Sequence, residues 1–165
     1  MRSTDREQMK QELKLMFFYV ILNLILLPAC ISLHEWGHWF AATLLGYRQG
    51  YVTYCWSGGI FHLAEPVRNL LDNALIGVAG GLTVGVVFTA LYYCLDWETD
   101  MVEKYILRNY IVSQLIYAYV EMLYGLGVVD IDMLVIVSNL VYPICLYASL
   151  IYLYIYLHEK ADCLQ

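Results

Sequence analysis

Four apolar runs, separated by short charged stretches, decide what this chain can fold into. They cover about residues 15–45, 70–95, 105–126 and 133–157. Each is near 20 residues or longer, the length a helix needs to cross a hydrocarbon core about 30 Å thick. Charged residues make up only 15% of the chain and hydrophobic ones 61%, where a soluble domain carries about a quarter charged. The expected architecture is therefore an all-α membrane protein. It is a bundle of about four transmembrane helices over residues 15–157, with a charged segment at 1–14 and a polar tail at 158–165. The charged start and the long run behind it do not fit a cleaved signal peptide, so the first run is expected to remain in the mature chain.

Within this frame, Pro28 and Pro143 each sit inside an apolar run, where a missing backbone donor is expected to bend the helix. Between the first two runs the pattern changes. Tyr51, Val52, Thr53, Tyr54 and Cys55 are mostly strand formers, Ser57-Gly58-Gly59 reads as a turn, and Ile60 to Leu63 resume, which predicts a short β-hairpin-like segment. In the second run Gly77, Gly81 and Gly85 recur every four residues beside Gly80, a flat face for close helix packing. Asn23 and Asn139 read as hydrogen-bonding links between helices. Arg2, Arg6, Lys10 and Lys14 precede the first run, while only Arg48 and Arg68 follow it before the second. The positive-inside rule then places both termini in the cytoplasm. A net charge of −6 with no basic patch excludes nucleic acid as a partner. The cysteines, Cys30, Cys55, Cys94, Cys145 and Cys163, are odd in number, with no C-x-x-C pair, and read as reduced small residues without a disulfide framework.

The chemistry concentrates in His34-Glu35-Trp36-Gly37-His38. Histidines four apart on a helix share one face, about 6 Å apart along the axis, and two imidazoles so placed can ligate one zinc ion at about 2.0–2.1 Å each. Glu35 can reach a zinc-activated water without being a ligand, and take its proton as it attacks a carbonyl. Ionisable groups at membrane depth cost on the order of 2.5–3.5 kcal/mol each, so they persist with a partner or a function. Cys30, one turn before His34, is a conceivable further ligand but reads more simply as a packing residue. His62 reads as a plain interfacial residue.

The stretch His34-Glu35-Trp36-Gly37-His38-Trp39-Phe40-Ala41-Ala42-Thr43-Leu44-Leu45-Gly46 resembles the first core helix of the site-2 protease family, the zinc intramembrane metallopeptidases. The glycine before the second histidine, the Ala41-Ala42 pair and the Leu-Leu-Gly ending carry the likeness. Ala79-Gly80-Gly81 stands where the family commonly has Ala-Gly-Pro and then asparagine, and matches in part. The resemblance implies a metallopeptidase-like membrane domain, Zn2+ as cofactor, Glu35 as catalytic base, and His34 and His38 as ligands. It also implies an aspartate ligand at the start of a later helix, for which Asp130 is ranked first and Asp132 second, the latter being better placed to cap the helix. Glu121 competes, since it lies mid-run on a stripe with Gln114, Tyr117 and Tyr124.

The expected function is intramembrane zinc-dependent hydrolysis of peptide bonds, within or near the transmembrane segments of other proteins. The substrate is expected to be a transmembrane protein surrounded by membrane lipid, in the plasma membrane of a prokaryote. The alternative is a non-catalytic zinc-binding membrane protein with a structural or regulatory role; an intact Glu35 favours the enzyme. A metal transporter is a weaker option, because only one pair of intramembrane histidines is present. Oligomeric state is not legible in the sequence.

Overall fold

The computed structural model describes residues 3–48, 50–55, 58–96 and 101–162. Four helices and one hairpin follow in the order α1 Ser3–Leu44, β1 Tyr51–Cys55, β2 Gly58–His62, α2 Leu70–Cys94, α3 Met101–Gly125 and α4 Ile131–Asp162. The helix-forming apolar runs thus become four helices, and the β-forming stretch becomes an antiparallel pair. Helix α1 begins well inside the charged segment and continues through Pro28, as α4 continues through Pro143. Each proline costs one backbone hydrogen bond, to the carbonyl four residues earlier, without ending its helix. Cys163, in the polar tail, lies outside the described residues.

Three helical stretches, Leu13–Leu44, Leu70–Cys94 and Ile131–Tyr156, are long and apolar enough to cross a membrane. The third run also forms a helix, α3, but it is not among them. The reason lies in its composition: Glu103, Lys104, Arg108 and Glu121 all fall within it, beside Asn109, Ser113 and Gln114. Asn109, Ser113 and Gln114 are buried, because α3 packs on α2 along one side and α4 along the other. By contrast the outer faces of α1 and α4 present large apolar side chains such as Phe17, Leu24, Ile25, Leu140 and Ile144. A bundle with its polar side chains inside and its apolar ones outside suits a hydrocarbon surround.

The glycine face of α2 makes the close approach to α3. A Cβ on Gly77 would stand 2.7 Å from the Glu121 carbonyl oxygen, and one on Gly81 would stand 2.8 Å from the Ala118 nitrogen. Polar links tie the remaining helices together. The Tyr110 hydroxyl donates to the Asn23 carbonyl at 3.0 Å and meets the Tyr142 hydroxyl at 2.9 Å, joining α3 to α1 and α4. The Asn23 side chain accepts from Tyr142 at 3.3 Å, the bridging role expected of it. Asn139 instead donates to Val135 within its own helix.

Two details depart from the sequence reading. Residues 56 and 57 alone separate the strands, since Cys55 pairs with Gly58 and Tyr54 with Gly59. Gly58 and Gly59 are therefore strand residues, and the turn that was expected to include them lies outside the described residues. Gly59 serves a different need, because a Cβ there would be 2.5 Å from the Glu35 Cγ. The cap of α4 is likewise Asp130, not Asp132: the Met133 amide donates to Asp130 Oδ1 at 2.9 Å. Helix α4 starts at Ile131, which makes Asp130 the residue whose carboxylate can reach the free amides of the first turn.

Candidate metal centre

Three helices build one cluster. Helix α1 supplies His34 and His38, one turn apart, with ring centroids 4.7 Å from each other and the rings edge to face. Helix α2 supplies the bed on which they lie: a Cβ on Gly80 would stand 2.5 Å from His38 Nε2 and 2.8 Å from His34 Nε2. Helix α3 supplies Glu121, whose Oε1 lies 3.2 Å from His34 Nε2 and 3.7 Å from His38 Nε2. The side chains of both histidines are 12% exposed and that of Glu121 is 18%.

The outer ring nitrogens have partners that set the tautomers. His38 Nδ1 is 2.7 Å from the Ile76 carbonyl oxygen, which can only accept, so Nδ1 carries the proton and Nε2 of the neutral ring presents a lone pair. His34 Nδ1 donates in the same way to Gln114 Oε1 at 2.8 Å. Such anchoring of the far nitrogen is how ligating histidines are usually oriented. What remains is two imidazole lone pairs aimed at one carboxylate oxygen. Three acceptors facing one another repel unless a cation lies among them. A proton on one ring would satisfy one contact; a single metal ion satisfies all three.

The spacing also fits. Donors about 2.1 Å from a tetrahedral ion lie about 3.4 Å apart, and the two histidine–carboxylate separations straddle that value. One ligand atom from each of His34, His38 and Glu121 lies within 4.8 Å of the others, and the described residues hold no other such group. In addition, Glu121 Oε2 and Glu35 Oε2 are buried without a hydrogen-bond partner. Orphaned carboxylate oxygens of this kind call for a ligand, an ion or water.

Glu35 is 5% exposed and stands beside the cluster rather than in it. The Phe61 main chain in β2 hydrogen-bonds its carboxylate, and Gly59 lets it lie flat against the strand. Two cavities, of about 360 and 540 Å³, flank this point between α1, the hairpin, α3 and α4. Both are lined by Glu35, Gly59, Glu121 and Ser138, so the two carboxylates stand where the cavities meet.

The chain matches no family model, no curated protein and no solved structure. The cluster's geometry therefore stands alone. It brings together His34 and His38 of the sequence reading and adds Glu121, the residue that reading placed behind the aspartates. Asp130 and Asp132 are not in the cluster; both lie at the start of α4, Asp130 as its cap. Cys30 is buried and lines the smaller cavity but is not one of the clustered groups, and it is a free thiol like Cys94 and Cys145. His62 bonds to Thr53 and stacks on Tyr51 within the hairpin.

Gln114 is the residue the sequence reading named without a role. Its signal was the stripe at offsets of 3, 4 and 3 shared with Tyr117, Glu121 and Tyr124, which marks one face of a helix. Three members of that stripe meet His34: Gln114 by a hydrogen bond to Nδ1, Glu121 by its carboxylate facing Nε2, and Tyr117 by its ring.

Proposed function

We propose that the protein is a multi-pass membrane zinc endopeptidase that hydrolyses peptide bonds in or near transmembrane segments of other proteins. The observation that carries this reading is the convergence of His34 Nε2, His38 Nε2 and Glu121 Oε1, with an unligated, buried carboxylate at Glu35 next to it. His34, His38 and Glu121 would hold the ion, leaving one position open as catalytic zinc sites do. Zinc in that place supplies a Lewis acid for a scissile carbonyl and acidifies water.

The chain's own groups supply the rest. Glu35 takes the proton of the attacking water and returns it to the leaving amine nitrogen, so that the C–N bond breaks and one water is consumed. The β-hairpin holds the Glu35 carboxylate from behind and offers strand edges to which an extended substrate backbone can add. The paired cavities give substrate side chains room on either side of the carboxylates.

The test joins metal content to cleavage. Purified protein in lipid vesicles is expected to hold one zinc per chain and to cut reconstituted transmembrane peptides with glycine-weakened helices. Stripping the metal with a chelator should stop cleavage, and added zinc should restore it. A chain that holds zinc and cuts nothing in such a panel would favour the structural or regulatory alternative. A chain free of metal at saturating zinc would end both.

Gly80 offers an independent check on the metal site. A methyl group in place of its hydrogen would overlap both Nε2 atoms, so Gly80→Ala is expected to push the imidazoles off the α2 surface. Zinc affinity should fall about 10–100-fold, the range seen when groups that orient ligating histidines are changed. A chelator-competition titration measures it, and unchanged affinity would mean that the ion lies elsewhere.

A further inference from the structure

The two cavities beside the metal centre differ in chemistry, and the difference follows their depth in the bundle. The larger, of about 540 Å³, lies where α2 and α4 begin and α3 ends. Beyond the cluster itself its walls are mainly apolar, with Ile60, Phe61, Leu63, Ile76, Leu134 and Val135, and its Asn73 amide is already held by the Gly125 carbonyl. The smaller, of about 360 Å³, runs from the cluster toward the middle of the helices, past Gln114, Ser138, Asn139 and Tyr142. The apolar span of α4 begins at Ile131, and Tyr142 stands about 17 Å farther along the helix. That is near the middle of a hydrocarbon core about 30 Å thick. The polar cavity is the deeper one.

The hydrogen bonds already made there define what remains to be offered. Gln114 accepts from His34 Nδ1 through Oε1, so its Nε2 end carries the donors. Asn139 donates through Nδ2 to the Val135 carbonyl, and its Oδ1 remains an acceptor. The Tyr110 proton goes to the Asn23 carbonyl, so the Tyr142 proton goes to Asn23 Oδ1 or the Tyr110 oxygen, which leaves lone pairs on the Tyr142 oxygen. One donor group and two acceptors around a single cavity complement a carboxamide, which presents an oxygen and an NH₂. In hydrocarbon such a side chain has no water to bond, and leaving it unpaired is costly. A transmembrane segment carrying one gains a set of partners on entering this cavity.

We infer that the protein selects transmembrane segments with glutamine or asparagine on the bilayer-centre side of the scissile bond and a large apolar residue on the other side. This selectivity rests on the endopeptidase reading and names its substrate class. Neighbouring side chains of an extended backbone point to opposite faces, so two adjacent substrate residues can occupy the two cavities at once. Gln114, Asn139 and Tyr142 receive the amide, while Ile76, Leu134 and Val135 pack on the apolar partner. A leucine in the deeper cavity leaves all three polar groups unanswered, and a site built to hydrogen-bond its substrate rejects such an analogue more strongly than an apolar pocket rejects a missing methylene.

Binding to zinc-loaded, full-length Glu35→Gln protein in phosphatidylcholine nanodiscs reads the preference without turnover. The probes are labelled transmembrane peptides of about 20 residues that carry Leu-Leu, Gln-Leu, Leu-Gln or Gln-Gln at the central pair. One of the two mixed orders is expected to bind at least about tenfold tighter than Leu-Leu, the worth of one buried hydrogen bond that would otherwise go unmade. It should also bind tighter than Gln-Gln, whose second amide meets the apolar cavity. Tyr142→Phe and Asn139→Leu should each reduce that preference while still binding Leu-Leu, which shows that the fold is kept. Leu134→Ala should weaken the mixed and Leu-Leu peptides alike and keep their ratio. Binding of all four peptides within about twofold of one another overturns the selectivity, as does a preference that survives undiminished in both Tyr142→Phe and Asn139→Leu. In either case the endopeptidase reading stands if the protein with Glu35 intact cuts Leu-Leu. Selective binding of a mixed peptide with no cleavage of any by that protein would instead refute the endopeptidase reading and leave the two-cavity recognition in place.

Discussion

Glu121→Ala is expected to release the metal, and Asp130→Ala to keep it. Removing the α3 carboxylate takes away one of the three proposed ligands and, among the described residues, the one carboxylate clustered with both imidazoles. Changes one shell farther out already cost zinc sites about 10–100-fold in affinity, so the loss of a ligand should exceed the upper end of that range. Asp130→Ala removes the side chain that accepts from the Met133 amide. Its cost should appear in thermal stability, about 1 kcal/mol for a lost helix cap, with zinc stoichiometry intact. Inductively coupled plasma measurements on the two purified variants, set beside their melting curves, separate the cases. Zinc retained by Glu121→Ala and lost by Asp130→Ala would reverse the assignment and move the centre to the start of α4.

The second large effect belongs to Glu35. Glu35→Gln keeps the shape that fits against Gly59 but cannot take a proton from water, and loss of a general base typically removes a factor of about 10²–10⁴ in rate. Zinc content should not change, because Glu35 is outside the clustered ligand set. His34→Ala, by comparison, should lose metal and cleavage together. Cleavage by Glu35→Gln at the parental rate would remove the carboxylate from the mechanism while leaving the metal site standing.

How far the sequence carried the fold can be seen at individual residues. The apolar runs mark all four helices, because in a chain this poor in charge, long hydrophobic stretches have few other places to go. The third run looked like a further span of the same kind, yet α3 differs in character. Its Asn109, Ser113 and Gln114 are buried, and only contact with α2 and α4 explains how such a helix is tolerated.

Glycine was read in the hairpin as it usually should be, as a turn signal. Gly59 is instead a strand residue kept small by the side chain of Glu35, a tertiary constraint that no local pattern contains. The histidine pair was legible because a four-residue spacing is a property of one helix. Glu121 was harder to place, since its relation to His34 depends on how α3 packs against α1. The analogy with an aspartate at a helix start drew attention to Asp130, whereas the stripe through Gln114, Tyr117 and Glu121 was the physical signal. An aspartate just before a helix has an ordinary occupation, and here Asp130 has it.

The distribution of the clustered groups over the chain has a consequence for biogenesis. Glu121 lies 87 positions after His34. At about 5–20 residues per second, synthesis takes on the order of ten seconds to travel that far. During this interval α1 and α2 can already pair, with Gly80 beneath both imidazoles, but the rings lack the Glu121 carboxylate and His34 has no Gln114. Completion of the cluster thus reports that α3 has arrived and docked in register between its neighbours. A nascent chain that stalls after α2 would leave both imidazoles without the two α3 side chains that meet them in the finished bundle.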